Sequence, residues 1–314
     1  MKILLVLFRT LGDICMGTTV LRAVKSKYPD AQIDFMTEKQ NINILEGNPD
    51  VNNIIIGSNY FEALDLFSSS KYDKIYKLNM ANHTDTCWHH ILKHQNQHLT
   101  EWYAQRAEIK NLDDKNIYIY PSENDIKVVD EFRKDLPKDL IAIHTSSGWH
   151  GSMNIDSKDW PIQYFEVIAE RLIRKGYNVI QIGGEKDKKL TTENVIDGIG
   201  KLTFKQTSQF LKHCKLFLGV DSGPAYLAGW SGIPSVVIMG STQNYNNITN
   251  LISKGPFVGP RNDNVHYINP TRPNNPNCQP IPCYVRCLIG KSGGCIIDVT
   301  TDMVWTKLIN ILGI

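Results

Sequence analysis

The stretch LFLGVDSGPAYLAGWSGIPSVVIMGST runs from Leu216 to Thr242, and the fold follows from how it is read. An apolar run, Leu216 to Val220, gives way to Asp221, Ser222, Gly223 and Pro224. An apolar, helix-like segment then continues to Trp230, and a second apolar run covers Ser235 to Met239. Short continuous apolar runs bounded by turn residues are typical of strands buried on both faces of a parallel sheet. The stretch therefore predicts a strand, a tight turn, a helix opening at the strand's carboxyl end, and the next strand. Such a helix start is an anion site: its first N–H groups lack partners, the macrodipole adds positive charge, and Gly223 admits a ligand close to the backbone. The competing reading is local, with Asp221 or Ser222 capping the helix and Gly223 turning the chain.

The chain's 314 residues suffice for two domains, and 42% hydrophobic residues supply each with a core. A formal charge of +2 is too near zero to point to nucleic acid. The opening run Met1 to Phe8 ends at Arg9 with no small-residue cleavage site, which predicts a first buried strand rather than a signal peptide or a membrane span. Of the seven cysteines, Cys15, Cys87 and Cys214 lie in apolar or helical contexts, which suits a reducing cytoplasm.

The first strand, Lys2 to Phe8, is followed by the polar turn Arg9-Thr10-Leu11-Gly12-Asp13 and a helix over Ile14 to Tyr28, stopped at Pro29. This repeats the arrangement of the central stretch. Strands at Gln32 to Met36, Asn53 to Ile56 and Tyr72 to Leu78 follow, with short helical segments between. Residues 82–110 read as one long helix carrying His83, His89, His90, His94 and His98, five of the nine histidines. His90, His94 and His98 share a face near Cys87, so a metal site is conceivable there, although an exposed or acceptor-binding face fits better for want of further ligands.

After a charged helix (Glu123 to Leu136) the chain restarts at Leu140 to His144 with a new apolar strand. We therefore expect an N-terminal domain over 1–137 and a C-terminal domain over 138–314. The second half continues with a Ser/Gly-rich loop (Thr145 to Gly151), the segment Lys158-Asp159-Trp160-Pro161, and a helix over Ile162 to Lys175. The strand Asn178 to Ile182, the turn Gly183-Gly184-Glu185-Lys186-Asp187 and a helix at Ser208 to His213 lead into the central stretch. The expected class is α/β, with two Rossmann-like domains whose parallel sheets face each other across a cleft. Ligands of such sheets sit at the carboxyl ends of the strands, where these turns fall.

The ordered set of Arg9 to Asp13, Lys158 to Pro161, Gly183 to Asp187 and Asp221 to Pro224 resembles the ADP-heptose:lipopolysaccharide heptosyltransferases, glycosyltransferase family 9. The resemblance covers nearly the whole chain. It implies a GT-B fold and an inverting transfer needing no metal, from a nucleotide-sugar donor held mainly by the C-terminal domain. By position it implies that Asp13 is the general base and that Lys158 contacts donor phosphate. Glu185 would lie near the ribose, and Asp221, Ser222, Gly223 and Pro224 would border the diphosphate and sugar. Arg9, Thr10 and Gly12 are acceptor-side candidates, with Arg22, Lys25 and the histidine-bearing segment beside them. One departure stands out: where the family usually carries a histidine three residues after the glycine of the last motif, this chain has Tyr226.

The chemistry agrees with these roles. Transfer needs a base for the acceptor hydroxyl and stabilisation of the departing diphosphate as the anomeric carbon becomes cationic. The local alternatives are a helix cap for Asp13, a solvated lysine for Lys158 and a plain turn for Glu185. Trp149 and Trp160 either border the site or pack. Cys278, Cys283, Cys287 and Cys295 fall within eighteen residues rich in Pro and Gly, which suggests a structural zinc or iron site, or else reduced or loosely paired thiols. Members of the family also carry Cys-rich C-terminal segments. The expected activity is transfer of a heptose from ADP-heptose to a bacterial surface glycan, lipid-linked or protein acceptor. It would take place in the cytoplasm or, by peripheral association, at the inner face of the membrane. The alternatives are a non-catalytic, metal-containing nucleotide-binding scaffold and a sugar-nucleotide epimerase of the same fold.

Overall fold

The computed structural model describes residues 1–57, 67, 71–78, 98–148, 158–240, 259–270 and 295–314. Trp149, Cys87, Cys278, Cys283, Cys287 and the histidines at 83, 89, 90 and 94 lie outside this set. The described residues form two compact units, one ending at Ser122 and one beginning at Glu123. The division falls before the helix at 123–133 rather than after it, at 137, because that helix packs on the helix at 204–211 of the second unit. Phe132 meets Phe210 there edge to face at 5.4 Å, and Gln206 donates to Asp125.

The first unit holds β1 (Lys2–Val6), α1 (Leu11–Lys27), β2 (Gln32–Thr37), the short α2 (Ile42–Leu45), β3 (Asn53–Ile56), β4 (Lys74–Lys77) and α3 (Leu99–Arg106). Its sheet runs β3-β2-β1-β4, with every pairing parallel. Burial of every residue from Ile3 to Val6 makes β1 the centre, as its unbroken apolar run requires. The expected helix over 82–110 is found, among the described residues, only as α3. His98 is extended (φ −69°, ψ 145°) and caps α3 by accepting the Thr100 N–H, so it does not share a helix face with other histidines.

The second unit holds α4 (Glu123–Arg133), β5 (Leu140–His144), α5 (Ile162–Arg174), β6 (Asn178–Gly183), β7 (Val195–Ile199), α6 (Phe204–Leu211), β8 (Leu216–Val220), α7 (Gly223–Ser231), β9 (Ser235–Ile238), β10 (Val265–Ile268) and α8 (Thr301–Leu312). The sheet order is β10-β9-β8-β5-β6-β7, all parallel. From β5 the chain winds outward through β6 and β7, then returns to the other side of β5 at β8. In the first unit the same reversal separates β1 and β4. Such reversals leave a crevice at the carboxyl ends of the two strands concerned, which is where ligands of open parallel sheets bind.

The second core joins both ends of its chain. Trp160, buried to 2% exposure, stacks edge to face on Phe165 and donates its indole N–H to the Val299 carbonyl at 2.7 Å. It is a packing residue that ties the segment before α8 to α5. No helix among the described residues is long and apolar enough to cross a membrane. Trp160→Phe keeps the packing but strands a buried carbonyl, a cost of about 1–3 kcal/mol. Trp160→Ala should cost about 3–5 kcal/mol, so melting temperatures should fall in the order parent, Phe, Ala. Equal melting points for the parent and the Phe variant would show that the bond to Val299 contributes nothing.

Candidate active site

In the second unit the site is assembled at the reversal between β5 and β8. Asp221 leaves the end of β8, and its carboxylate pairs with Lys158 Nζ at 2.9 Å; the two side chains are only 6% and 13% exposed. Ser222 is the N-cap residue of α7, yet its hydroxyl makes no bond to the helix's first amides. It lies instead 3.1 Å from His144 Nδ1 and 3.1 Å from the Val220 carbonyl. Pro224 occupies the first turn, where its missing N–H costs nothing. The α7 N-terminus therefore keeps its positive end, with a lysine ammonium beside the preceding aspartate.

The turn after β6 lies at the same edge. Glu185 is exposed, and its side chain lies over Gly200, where a Cβ would stand 2.6 Å from Glu185 Cγ. Asp187 turns inward, and its carboxylate accepts the Gly184 N–H at 2.8 Å and stands 3.4 Å from His144 Nε2. Asp159 accepts the Ser147 N–H at 2.7 Å, joining the loop after β5 to the segment that carries Lys158. Lys158, Asp221, Ser222, Gly223 and Pro224 are thus brought together, with the Glu185 turn on the far side of β5.

In the first unit Asp13 is the third residue of α1, not its cap; Thr10 holds the cap position. One Asp13 oxygen accepts the Thr10 hydroxyl at 2.7 Å and the other the Tyr103 hydroxyl at 2.5 Å. A carboxylate oxygen has two lone-pair directions, so both oxygens keep capacity for another proton donor. Carbonyl Arg9 O accepts from Asn41 Nδ2 at 2.8 Å, which fixes the turn that carries Asp13. Arg22 and Lys25 are both engaged within the first unit. Arg22 pairs with the buried Asp50 at 2.9 Å, bonds the Tyr120 hydroxyl and covers the Tyr118 ring, while Lys25 donates to the Ala31 carbonyl.

Three contributors escaped the sequence reading. Tyr103 lies 90 residues beyond Asp13, and nothing near it marks it as a partner. His144 ends an apolar strand, and its place at the β5 carboxyl end was its only signal. Asp187 was read as one more residue of a turn. Tyr226 is buried at 4% exposure, and its hydroxyl accepts the Gly259 N–H at 2.7 Å. Burial, then the charge of Asp221, push the Tyr267 hydroxyl well above the ordinary tyrosine range. Among the described residues no three His, Cys, Asp or Glu side chains are grouped to hold a metal; of the four clustered cysteines only Cys295 is described.

Residues 66–256 match the family profile of glycosyltransferase family 9 (heptosyltransferase). Lipopolysaccharide heptosyltransferase 3 of Escherichia coli is 24% identical, over 74% of this chain and 82% of its own length. The glycosyltransferase family 9 structure from Veillonella parvula covers 99% of this chain and 97% of its own, with TM-score 0.75 and 17% identity. The dodecameric iron-containing heptosyltransferase TibC of enterotoxigenic E. coli, solved with ADP-D-beta-D-heptose, covers 99% of this chain and 76% of its own, with TM-score 0.66 and 14% identity.

Proposed function

The chain belongs to glycosyltransferase family 9, and from that premise we propose that it transfers heptose from ADP-heptose, with inversion and without a catalytic metal, to a lipid-linked core saccharide of a bacterial surface glycan. The observation that carries this reading is the α7 start: an uncapped helix N-terminus, Asp221 and Lys158, gathered where the β5–β8 reversal opens a crevice. Those are the elements a departing diphosphate needs. Two relatives bear on the sugar: one is named a lipopolysaccharide heptosyltransferase, and TibC was solved with ADP-heptose.

In this reading the diphosphate lies against the Gly223 end of α7 and Lys158, whose three donor hydrogens can serve Asp221 and a phosphate oxygen together. Glu185 contacts the ribose. The acceptor oxygen attacks the anomeric carbon as the bond to the diphosphate breaks, the electron pair leaves on the diphosphate, and the hydroxyl proton passes to Asp13. Tyr103 and Thr10 hold the Asp13 carboxylate in one orientation. Arg9, Thr10 and Gly12 border the acceptor. The reaction takes place in the cytoplasm, at the inner face of the membrane where a lipid-linked acceptor would lie. Cys278, Cys283, Cys287 and Cys295 together hold a structural zinc or iron ion, a reading supported by four thiols in a Pro/Gly-rich stretch.

Removal of the Lys158 charge, as in Lys158→Ala, should weaken ADP and ADP-heptose binding by roughly one to two orders of magnitude, the loss of a charge-assisted contact of about 1.5–3 kcal/mol. Unchanged affinity by calorimetry would take Lys158 out of the donor site. Asp13→Asn retains the shape and removes the basicity, so turnover should fall about 10²–10⁴-fold while donor affinity and melting temperature hold. A variant that melts early but turns over normally would make Asp13 a structural residue. Protein purified without chelator should contain about one equivalent of zinc or iron, and a chelator should lower its melting temperature. Metal analysis that finds neither would leave the cysteines as reduced or loosely paired thiols.

A further inference from the structure

The donor site proposed above has two halves on two different turns: the α7 start after β8, for phosphate, and the Gly183–Asp187 turn after β6, for the nucleoside. Between these strands lies β5, and its last residue, His144, is buried at 4% exposure. Its ring touches both turns, with Nδ1 3.1 Å from the Ser222 hydroxyl and Nε2 3.4 Å from Asp187 Oδ2. Asp187 in turn closes its own turn by accepting the Gly184 N–H at 2.8 Å. That closure is tight: a Cβ on Gly183 would stand 2.2 Å from Asp187 Oδ2.

The roles of the ring nitrogens follow. A carboxylate only accepts, so Nε2 carries the hydrogen toward Asp187, and Nδ1 shares the one hydrogen of the Ser222 hydroxyl with the Val220 carbonyl, each 3.1 Å from that oxygen. The serine side chain is thereby drawn away from the helix it precedes and does not cap it; Ala225 N–H turns to the Ser222 carbonyl and Pro224 has no N–H, which leaves the Gly223 end of α7 to face a ligand. We infer that His144, backed by Asp187, is a positioning residue that fixes the spacing between the nucleoside turn and the diphosphate helix. The inference rests on the donor reading above. It assigns His144 no contact with substrate; the ring acts through Ser222 and Asp187.

A spacer makes a distinctive demand. A ligand that spans both turns should need it, while a ligand that occupies one turn should not. Competition binding of ADP, adenosine and inorganic pyrophosphate to the full chain separates the two cases. His144→Ala should raise the Kd for ADP about tenfold, the size of one lost hydrogen bond between neutral groups, and shift adenosine and pyrophosphate by less than about twofold. His144→Asn keeps an amide near the Nδ1 position; it should retain the Ser222 contact, lose the one to Asp187, and still bind ADP more weakly than the parent. The double variant His144→Ala with Asp187→Ala should be no worse than the poorer single one, because both act through one chain of contacts. In turnover, KM for the donor should rise with kcat little changed. Equal losses for all three ligands would show that the ring only supports the fold, and full ADP affinity in the His144 variants would also overturn the inference. Failure of the parent itself to bind ADP would instead strike the donor reading. If His144→Ala does not fold, His144→Asn and Asp187→Asn carry the same comparison.

Discussion

The pairing of β5 with β8 is the constraint on which the second unit depends. These strands were laid down about 70 residues apart, yet they lie side by side, with Ile141 to His144 in register with Leu216 to Gly219. The approach is close enough to need a glycine: a Cβ on Gly219 would stand 2.6 Å from the Phe217 ring and 3.1 Å from the His144 carbonyl. Any larger residue would have to displace the Phe217 ring of the same strand and press on the His144 carbonyl, at the point where His144, Asp221 and Ser222 emerge. The crevice arises from this pairing rather than from any loop, because the chain reverses its winding across it.

Under the proposed donor reading, charge at this edge serves binding more than stability. Burying an ion pair such as Lys158–Asp221 incurs a desolvation penalty that mutual attraction seldom exceeds, and an apolar pair of similar size is often at least as stable. A buried lysine beside an uncapped helix N-terminus is thus poorly accounted for by folding. Facing an incoming diphosphate it is well accounted for, since an ammonium held in place by a carboxylate loses little further freedom on binding a second anion. Asp13 in the first unit follows a similar plan, held by two hydroxyl donors in the first turn of a helix.

The legible parts of the chain were those where a single local pattern had a single physical solution. The apolar runs at Lys2, Leu140 and Leu216 could only be buried strands, and the turns after them could only lie at the sheet edge. β7 and β10 were missed because both are short edge strands, half-exposed, with Gly198 interrupting one and His266 the other. The charged helix α4 was placed with the wrong neighbour because an amphipathic pattern gives the buried face but not what covers it; Val129 is buried and Phe132 meets Phe210 of α6. Tyr103, His144 and Asp187 were illegible for a third reason. Each works through a contact distant in sequence, and no local spacing encodes such a contact.

Tyr226 illustrates how a motif can keep its frame and change one of its parts. At the fourth position of α7 its ring is buried, and its hydroxyl accepts the Gly259 N–H, while Tyr267 donates to the neighbouring Pro260 carbonyl at 2.5 Å. Pro260 also rests on Gly229 of α7, where a Cβ would stand 2.4 Å from it. Tyrosine, glycine and proline therefore form one set that docks the 259–262 segment against α7, whose start is the proposed diphosphate site. A histidine at 226 has no hydroxyl at the far end of its ring and could not make this bond at this length. The substitution is thus coupled to the segment it holds, and the change at this position concerns how α7 is covered rather than how its N-terminus meets an anion.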